Sequence, residues 1–296
     1  MRPLQVTGEV LSTRKVGAYT AMTVTAPGIA ENVRPGHFVA FSVGGQGTGM
    51  MLRRAFSVYQ ARPMIGHGGS VEIVFAVAGA GTAWLAQRRV GDKVDLVGPL
   101  GRPFRLPRDP VTAVLVGGGY GAAPLFSLAA VLRERGCRVD LVLGAATEQR
   151  LFGILEAKRA ATSVVFTTDD GSYGIRGRVT DVLEGFLDRA DVVYTCGPMP
   201  MLRAVAEAAA AVGVPSQVAV EESMACGIGV CMTCVLPVIG DDGRTRMLRS
   251  CVEGPVFAGE SVRFADIGTV PPDAVGAPPL AAPKPPMPQP TPEEVS

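Results

Sequence analysis

The first hundred residues alternate between short apolar segments and turn residues. Apolar segments lie at residues 8–24, 35–43, 55–59 and 70–77, and glycine and proline recur between them. Short segments of this kind separated by Gly/Pro turns are typical of antiparallel strands. This part of the chain therefore predicts a small antiparallel β-barrel, interrupted by one helix at residues 81–86.

The pattern changes after residue 110. Residues 111–116 form a continuous apolar segment, followed by a glycine-rich loop and an apolar helical segment at residues 124–135. Further strands are predicted at residues 138–143, 163–168 and 192–197, and further helices at residues 151–160 and 199–212. Strands that alternate with helices predict a parallel α/β sheet.

The predicted fold class is thus a β-barrel plus an α/β domain. We expect the barrel at residues 1–104 and the α/β domain at residues 105–215. A segment rich in cysteine and glycine follows at residues 216–267. Residues 268–296 are proline-rich, so we expect a disordered or polyproline tail.

Composition narrows the possible partners. The 296 residues favour two domains over one, and a hydrophobic fraction of 47% excludes a mainly disordered chain. Lys and Arg number 28 against 27 Asp and Glu, and this balance argues against a nucleic-acid-binding protein. A glycine cluster interrupts the most apolar stretch, residues 111–132, and the N-terminus lacks a secretory signal. We therefore expect a soluble, cytoplasmic protein without a membrane partner.

Four cysteines give the most specific motif in the sequence. Cys226, Cys231 and Cys234 follow the spacing C-x4-C-x2-C, and Cys251 lies downstream. This spacing is that of plant-type [2Fe–2S] proteins, in which three thiolates come from one loop and a distant fourth completes the site. A structural zinc knuckle or a set of disulfides is the alternative, but zinc favours paired C-x2-C motifs or histidines. The two other cysteines, Cys137 and Cys196, are predicted to be ordinary buried residues at strand edges.

A glycine-rich loop, Gly117-Gly118-Gly119-Tyr120-Gly121, lies directly between a predicted strand and a predicted helix. Glycines allow a pyrophosphate to approach the backbone closely, and a helix N-terminus offers free N–H groups. A tight strand–helix turn without a ligand is the alternative. The acidic residue expected near the end of the second strand is not clear, because residues 143–147 are neutral and Glu148 comes late, so the choice between NADH and NADPH stays open.

Two further segments in the barrel suit a phosphate or a flavin. Arg53-Arg54-Ala55-Phe56-Ser57 places arginine beside a hydroxyl group, although alone it is more typical of a solvated strand edge. Gly79-Ala80-Gly81-Thr82 is a small loop that leads into a helix. Together with the loop at Gly117, these segments favour two nucleotide cofactors over one. The histidines, His37 and His67, have no nucleophile or carboxylate nearby in sequence and are predicted to be turn residues without a catalytic role.

The motifs together resemble the electron-transfer subunits of NAD-dependent (type B) dihydroorotate dehydrogenase, within the ferredoxin–NADP reductase superfamily. The resemblance covers residues 5–264, and its most specific segments are residues 168–174, 224–231 and 251–257. Alanine at position 55 departs from the family's Arg-Pro-x-Ser flavin motif but leaves its arginine and serine, Arg54 and Ser57, in place. The proline-rich tail has no counterpart.

This resemblance implies three cofactor sites. It implies an FAD-binding barrel, an NAD(P)(H)-binding α/β domain and a small C-terminal [2Fe–2S] domain at the three predicted segments. The resemblance implies FAD contacts at Arg54, Ala55, Phe56, Ser57, Val74, Phe75, Ala76, Gly81 and Thr82. The small loop before the helix adds Gly79. The nicotinamide-nucleotide contacts are Gly117, Gly118, Gly119, Gly121, Cys196, Gly197, Pro198 and Met199. The cluster ligands are Cys226, Cys231, Cys234 and Cys251.

By the same resemblance, the chain passes electrons between NAD and an FMN-containing catalytic subunit that oxidises dihydroorotate, in a heterotetramer with two copies of each subunit. No catalytic acid or base is then expected in this chain. Alternatives are an NAD(P)H:acceptor reductase that acts alone or in another redox complex, a non-catalytic redox-sensing module, and a zinc-stabilised structural protein.

Overall fold

The computed structural model describes residues 2–45, 48–63 and 68–278. His67 and residues 279–296, which make up most of the predicted proline-rich tail, lie outside the described residues. In the three described ranges, no helix has both the length and the apolar composition needed to cross a membrane.

The N-terminal part of the chain folds into a closed six-stranded barrel, which confirms the predicted architecture. Its strands are β1 Leu4–Val16, β2 Tyr19–Thr25, β3 Phe38–Phe41, β4 Arg54–Arg62, β5 Ser70–Phe75 and β6 Lys93–Leu100. They pair antiparallel in the order β1-β2-β5-β4-β3-β6, and β6 closes the barrel on β1. Side chains such as Met22, Ile73 and Leu96 are fully buried in its core. Helix α1 (Ala80–Ala86) adds Leu85 to the same core.

The second part of the chain forms a seven-stranded sheet with helices on both faces. Its strands are β7 Thr112–Gly118, β8 Arg138–Ala145, β9 Ser163–Thr168, β10 Ile175–Arg176, β11 Val192–Cys196, β12 Ser216–Ala219 and β15 Val256–Ala258. The helices are α2 Ala123–Glu134, α3 Ile154–Ala160, α4 Thr180–Leu187 and α5 Met199–Ala211. In the order β10-β9-β8-β7-β11-β12-β15, all neighbours are parallel except β15, which pairs antiparallel with β12. The predicted parallel α/β sheet is therefore confirmed.

Strand β7 shows why the central strands are apolar at nearly every position. Leu115 packs in the core shared with α2 and α3, while Val114 and Val116 pack on the opposite face in the core shared with α4 and α5. A strand covered on both faces needs apolar side chains on both, so its sequence is continuous rather than alternating. This double burial explains the apolar segment at residues 111–116.

The structure differs from the sequence expectations in the region after β9. Helix α4 occupies residues for which no helix is predicted. Strands β12 and β15 extend the α/β sheet, although their residues belong to the predicted cysteine-rich segment. Between them, β13 (Val235–Ile239) and β14 (Thr245–Arg249) form a separate antiparallel hairpin. The cysteine-rich segment is thus attached to the sheet through two of its own strands.

Aromatic side chains join the barrel to the α/β sheet. Tyr59 of β4 lies edge-to-face against Phe126 of α2 and Phe152, with ring centroids 5.9 and 5.2 Å apart. Tyr19 of β2 packs against Phe152 at 6.4 Å. These residues belong to one continuous buried core that includes the central sheet strands. The barrel and the sheet therefore share a buried core instead of meeting at a hydrated interface.

Candidate functional site

The loop between β12 and β13 carries Cys226, Cys231 and Cys234, and Cys251 follows β14. Gly227 and Gly229 have φ angles of 70° and 84°, a left-handed conformation that side chains disfavour. Met232 adopts a φ of 59° in the same region, which is uncommon for a residue with a side chain. Repeated left-handed residues wind the loop tightly, so that the amides of Val230 and Cys231 come within hydrogen-bond distance of the Cys226 sulfur.

Two of these thiols already accept hydrogen bonds. The amides of Val230 and Cys231 donate to the Cys226 sulfur at 3.3 and 3.5 Å, and the Thr233 hydroxyl donates to the Cys231 sulfur at 3.2 Å. The bond from Thr233 is the main reason why the pKa of Cys231 falls to about 6. Donors aimed at sulfur stabilise thiolates, the form in which cysteine binds iron.

The other two thiols are buried against the barrel. Cys234 and Cys251 pack with Phe38 of β3 and Leu100 of β6. Burial, and then the hydrogen bond with Cys234, raises the pKa of Cys251 to about 12. The four cysteines are free thiols rather than disulfides. Among the described residues, no three cysteine, histidine or acidic side chains form a single-ion site, whereas a two-iron cluster spreads its four thiolates over two metals. These residues fit the cluster.

Arg249 holds the cysteine loop from the neighbouring hairpin. Its guanidinium donates to the Gly229 carbonyl at 2.8 Å and to both carboxylate oxygens of Glu253 at 2.6 and 3.1 Å. The bidentate pair fixes the guanidinium plane, so that its remaining N–H points at the loop.

A first cavity lies between the barrel and the sheet. Its volume of about 190 Å³ leaves room for a ring system rather than for a whole dinucleotide. The predicted residues that line it are Ala55, Phe56, Ser57, Val74, Phe75, Ala76, Thr82, Gly121, Cys196 and Gly197. Phe38, Glu222 and Met224 complete part of the wall. Burial raises the pKa of Glu222, which places a carboxyl group of reduced acidity beside this cavity.

Arg54 and the small loop before α1 lie just beyond this cavity. A side chain added at Gly81 would lie 2.9 Å from Arg54 Nε, so the glycine lets the guanidinium rest on the start of the helix. The Thr82 hydroxyl accepts hydrogen bonds from the amides of Ala78 and Gly79 at 2.9 and 3.1 Å. Two of the donors expected for a phosphate are therefore used within the loop, and Arg54 is left as the main positive group.

A second cavity of about 570 Å³ lies at the carboxyl ends of the sheet strands. It opens between β7 and β11, where the chain order of the strands reverses, which is the usual ligand position in open α/β sheets. The predicted residues that line it are Gly118, Gly119, Gly121 and Pro198. Arg54, Gly79, Gly81, Gly117 and Met199 line neither cavity.

The glycine loop and the segment after β11 touch through their backbones. A side chain at Gly121 would lie 2.7 Å from the Cα of Gly197, and one at Gly118 would lie 2.8 Å from Pro198. These glycines therefore bring the two motifs together. Cys196 is buried at this contact, and its burial raises the pKa of the thiol.

Four charged residues that line the second cavity, Arg150, Asp169, Arg178 and Glu221, were not predicted from the sequence. Asp169 lies at the end of β9, while Arg150 and Arg178 come from loops on the same side of the sheet. The acidic residue expected at the end of the second strand of the sheet, β8, is found instead at the end of the third, β9. The sequence signal for Asp169 is its position directly after the strand predicted at residues 163–168.

Two family models match the chain. A model described as the iron–sulfur cluster binding domain of dihydroorotate dehydrogenase B matches residues 221–263, which include the four cysteines. A model described as an oxidoreductase NAD-binding domain matches residues 115–207, which include both loops of the second cavity.

Curated relatives match most of the chain. The electron transfer subunit of dihydroorotate dehydrogenase B (NAD(+)) from Geobacillus thermodenitrificans is 42% identical over 259 residues, 86% of this chain and 96% of the relative. The chain belongs to this family. Another electron transfer subunit, from Desulforamulus reducens, is 36% identical over 239 residues, 80% of this chain and 89% of the relative. The family resemblance based on the motifs is confirmed, and the chain is an NAD-linked oxidoreductase subunit.

Solved structures extend the comparison to the fold. An NADH-dependent reduced ferredoxin–NADP oxidoreductase, studied for flavin-based electron bifurcation, matches with a TM-score of 0.76 and 30% identity. The match covers 88% of this chain and 91% of that chain. The ferredoxin reductase of carbazole 1,9a-dioxygenase shares the fold, with a TM-score of 0.61 and 24% identity over 72% of this chain and 67% of that chain.

Proposed function

We propose that this electron transfer subunit passes electrons between NAD(H) and a catalytic partner, and that it binds FAD and a [2Fe–2S] cluster itself. The partner oxidises dihydroorotate to orotate in pyrimidine biosynthesis, carries FMN, and assembles with this chain in a heterotetramer of two copies each. The proposed compartment is the cytoplasm. The six cysteines support it, because none of them forms a disulfide.

One observation carries the proposal. Phe38 lines the first cavity and also packs against Cys234 and Cys251. Met224, two residues before Cys226, lines the same cavity. A flavin ring in this cavity and a cluster on the four cysteines are therefore separated by little more than one layer of side chains. Such closeness is what electron transfer between two bound groups requires.

The cysteine loop would hold the cluster. We assign Cys226, Cys231, Cys234 and Cys251 as its ligands, because three of them lie in one tightly wound loop, Cys251 packs with Cys234, and two of the four sulfurs accept hydrogen bonds from nearby donors. The buried pair lies on the side of the first cavity, and the exposed Cys231 lies on the side of solvent.

Barrel residues would hold FAD. The backbone and side chains at 55–57 and 74–76 form the apolar wall against which a flavin ring can lie. Arg54, resting on Gly81, is placed to offset the charge of the pyrophosphate, while Thr82 fixes the loop from Gly79. Alanine at position 55 removes no polar contact from this arrangement.

The second cavity would hold NAD(H). Gly118, Gly119 and Gly121 allow the pyrophosphate to approach the backbone, and Arg150 and Arg178 offset its charge. Asp169 is placed to accept hydrogen bonds from ribose hydroxyls. Gly117 and Met199 support the loops from behind: Gly117 faces Ala122 and Leu143, and Met199 packs on the core beneath α5.

When bound, FAD supplies hydride exchange with NAD(H) and single-electron exchange with a [2Fe–2S] cluster. The chain's own residues position these groups and keep water from the space between them. Glycine contacts between residues 118–121 and 197–198 close the wall behind the nicotinamide side. No acid–base pair for dihydroorotate is assigned to this chain.

The purified chain tests the proposal directly. It should show flavin and iron–sulfur absorption, and NADH added without oxygen should bleach the flavin band. Cys231→Ser should lose iron because one of the four ligands is removed, while the flavin is still reduced by NADH. Metal analysis and anaerobic spectra measure both results.

Cys137→Ser is the matched control, since Cys137 is buried under α2 and far along the chain from the cysteine loop. It should retain iron. Equal iron in Cys231→Ser and the wild type would contradict the ligand assignment, and a flavin that NADH does not reduce would contradict the electron-transfer function.

A second candidate is a subunit of another NAD(P)H:acceptor reductase. The 30% identity to the NADH-dependent ferredoxin–NADP oxidoreductase favours it. Co-purification from the native cell separates the two, because only the first candidate requires a partner that oxidises dihydroorotate.

A further inference from the structure

Tyr120 stands between the two cavities. Together with Gly121 and Glu221, it lines both the cavity assigned to the flavin and the cavity assigned to NAD(H). It belongs to the short 3-10 turn Gly119–Ala122 that links β7 to α2. A nicotinamide that reaches from the second cavity into the first must pass this side chain.

The Tyr120 ring packs, partly buried, against the core shared by barrel and sheet, and its side chain makes two specific contacts, with Glu221 and Tyr19. Its hydroxyl donates to a carboxylate oxygen of the exposed Glu221 at 3.4 Å, which is a long hydrogen bond. Its ring meets the ring of Tyr19 edge-on, with centroids 5.2 Å apart and planes at 63°. Burial and the charge of Glu221 raise the pKa of Tyr120 to about 12, so the hydroxyl remains a donor at neutral pH.

Tyr19, by contrast, is fixed. It is buried, and its hydroxyl donates to the Arg150 carbonyl at 2.7 Å. Tyr120 is half-buried, and glycines precede and follow it, Gly119 with a φ of 55°. Of the two rings that meet at this boundary, Tyr120 is therefore the more exposed and the less tightly hydrogen-bonded.

We propose that the Tyr120 ring is a movable partition, and that the nicotinamide end of NAD(H) reaches the flavin cavity only after the ring leaves its contacts with Glu221 and Tyr19. This inference rests on the proposed function, which assigns the two cavities to FAD and NAD(H). Tyr120 then acts as a gating residue: part of the binding energy of the nicotinamide is used to displace it.

Displacing the ring affects the two halves of the dinucleotide differently. ADP-ribose lacks the nicotinamide, so it can fill the second cavity with the ring in place. NAD+ must displace the ring before its nicotinamide finds a site. The ratio of the two dissociation constants, Kd of ADP-ribose over Kd of NAD+, therefore reports the partition alone.

The experiment titrates both ligands into the holoprotein, loaded with flavin and cluster, by isothermal titration calorimetry. Tyr120→Ala should raise the ratio about three- to tenfold, the range expected for the loss of one aromatic contact and one hydrogen bond. Tyr120→Phe keeps the ring but loses the bond to Glu221, and it should raise the ratio about twofold. Tyr173→Ala is the matched control, because Tyr173 is a half-buried tyrosine that lines neither cavity.

A ratio that stays unchanged in Tyr120→Ala and Tyr120→Phe overturns the proposal. A ratio that falls also overturns it, since the ring would then be a platform on which the nicotinamide rests. If Tyr120→Ala does not fold, Tyr120→Phe decides alone. Failure of wild-type protein to bind ADP-ribose would instead remove the assignment of the second cavity, and the partition with it.

Discussion

At the scale of single residues, exposure to water separates groups that look alike in the sequence. The four cysteines of the motif divide into an exposed one, Cys231, and a buried pair, Cys234 and Cys251, with Cys226 between these extremes. The pKa of the exposed thiol is lowered by its donors, while burial raises that of Cys251. Spacing alone identifies all four, but only the fold tells which of them face the barrel.

His37 shows the same effect of burial outside the site. It is 4% exposed, and its Nδ1 accepts a hydrogen bond from the Arg34 amide at 3.0 Å. Burial, and then the charge of Arg34, lowers the pKa of His37 to about 4 from an ordinary value of 6.5. The turn therefore holds the imidazole in its neutral form.

This lowered pKa predicts a loss of stability in acid. Between pH 6.5 and about 4 the unfolded chain binds a proton at His37 and the folded chain does not, so the free energy of unfolding falls as the pH falls. The loss is at most about 3 kcal/mol, from about 1.4 kcal/mol for each pKa unit. In His37→Gln this contribution is absent. Urea unfolding at pH 7 and pH 5 should show a smaller drop for the variant, and parallel drops would disprove the assignment.

At the scale of elements, the sequence correctly predicted those strands and helices whose position depends on the local pattern of apolar residues. Strands with buried faces were found because their apolar segments are continuous or alternate, and the helices α2 and α5 were found because they are long apolar segments of 12 and 13 residues. Helix α4 was missed, since it is short and carries Gly185 in its interior. The sheet strands β12 and β15 were missed as such because pairing across 36 residues or more, rather than local pattern, places them side by side.

The candidate site was predicted to a similar extent. Cysteine spacing identified all the proposed ligands, and the glycine loop identified one wall of the second cavity. Asp169, Arg150 and Arg178 come from three separate strand ends and loops, so only the sheet order brings them together. Residues that only the tertiary structure brings together form no recognisable motif in the sequence.

The hairpin β13–β14 offers a test at this scale, since its Arg249 holds the cysteine loop. Arg249→Gln removes the bond to the Gly229 carbonyl and the ion pair with Glu253. Iron should then be lost about tenfold faster to a chelator, in line with other residues that support metal ligands. Absorbance of the cluster during incubation with the chelator measures this loss.

Arg246 on the same strand provides the control. It forms an ion pair with Asp242 at 2.7 Å, again four residues away, but has no bond to the cysteine loop. Arg246→Gln should lose iron at the wild-type rate. Equal rates for the two variants would show that Arg249 does not support the cluster loop.

At the scale of the whole molecule, the cysteine loop presents an apolar surface. Ile228, Val230 and Met232 alternate along the loop and are 52%, 76% and 50% exposed. Val230 and Met232 flank the exposed Cys231 in the sequence. Exposed apolar residues next to a redox site are typical of a surface that a partner covers, and we expect the catalytic subunit to bind here.

Val230→Lys should therefore weaken association with the catalytic subunit, because a charge would be buried at the centre of the contact. Co-purification or gel filtration of the mixed subunits measures the effect. Val212→Lys is the control: Val212 is 53% exposed, but it lies at the far end of α5. Similar behaviour of the two variants would place the partner elsewhere.

The aromatic contacts between Tyr59, Phe126 and Phe152 have a consequence for how the enzyme subunit works. Because the barrel and the sheet share one buried core, a hinge motion of one against the other would expose that core to water. We therefore expect rotations of individual side chains, rather than movement of the barrel against the sheet, to control how NAD(H) reaches the flavin.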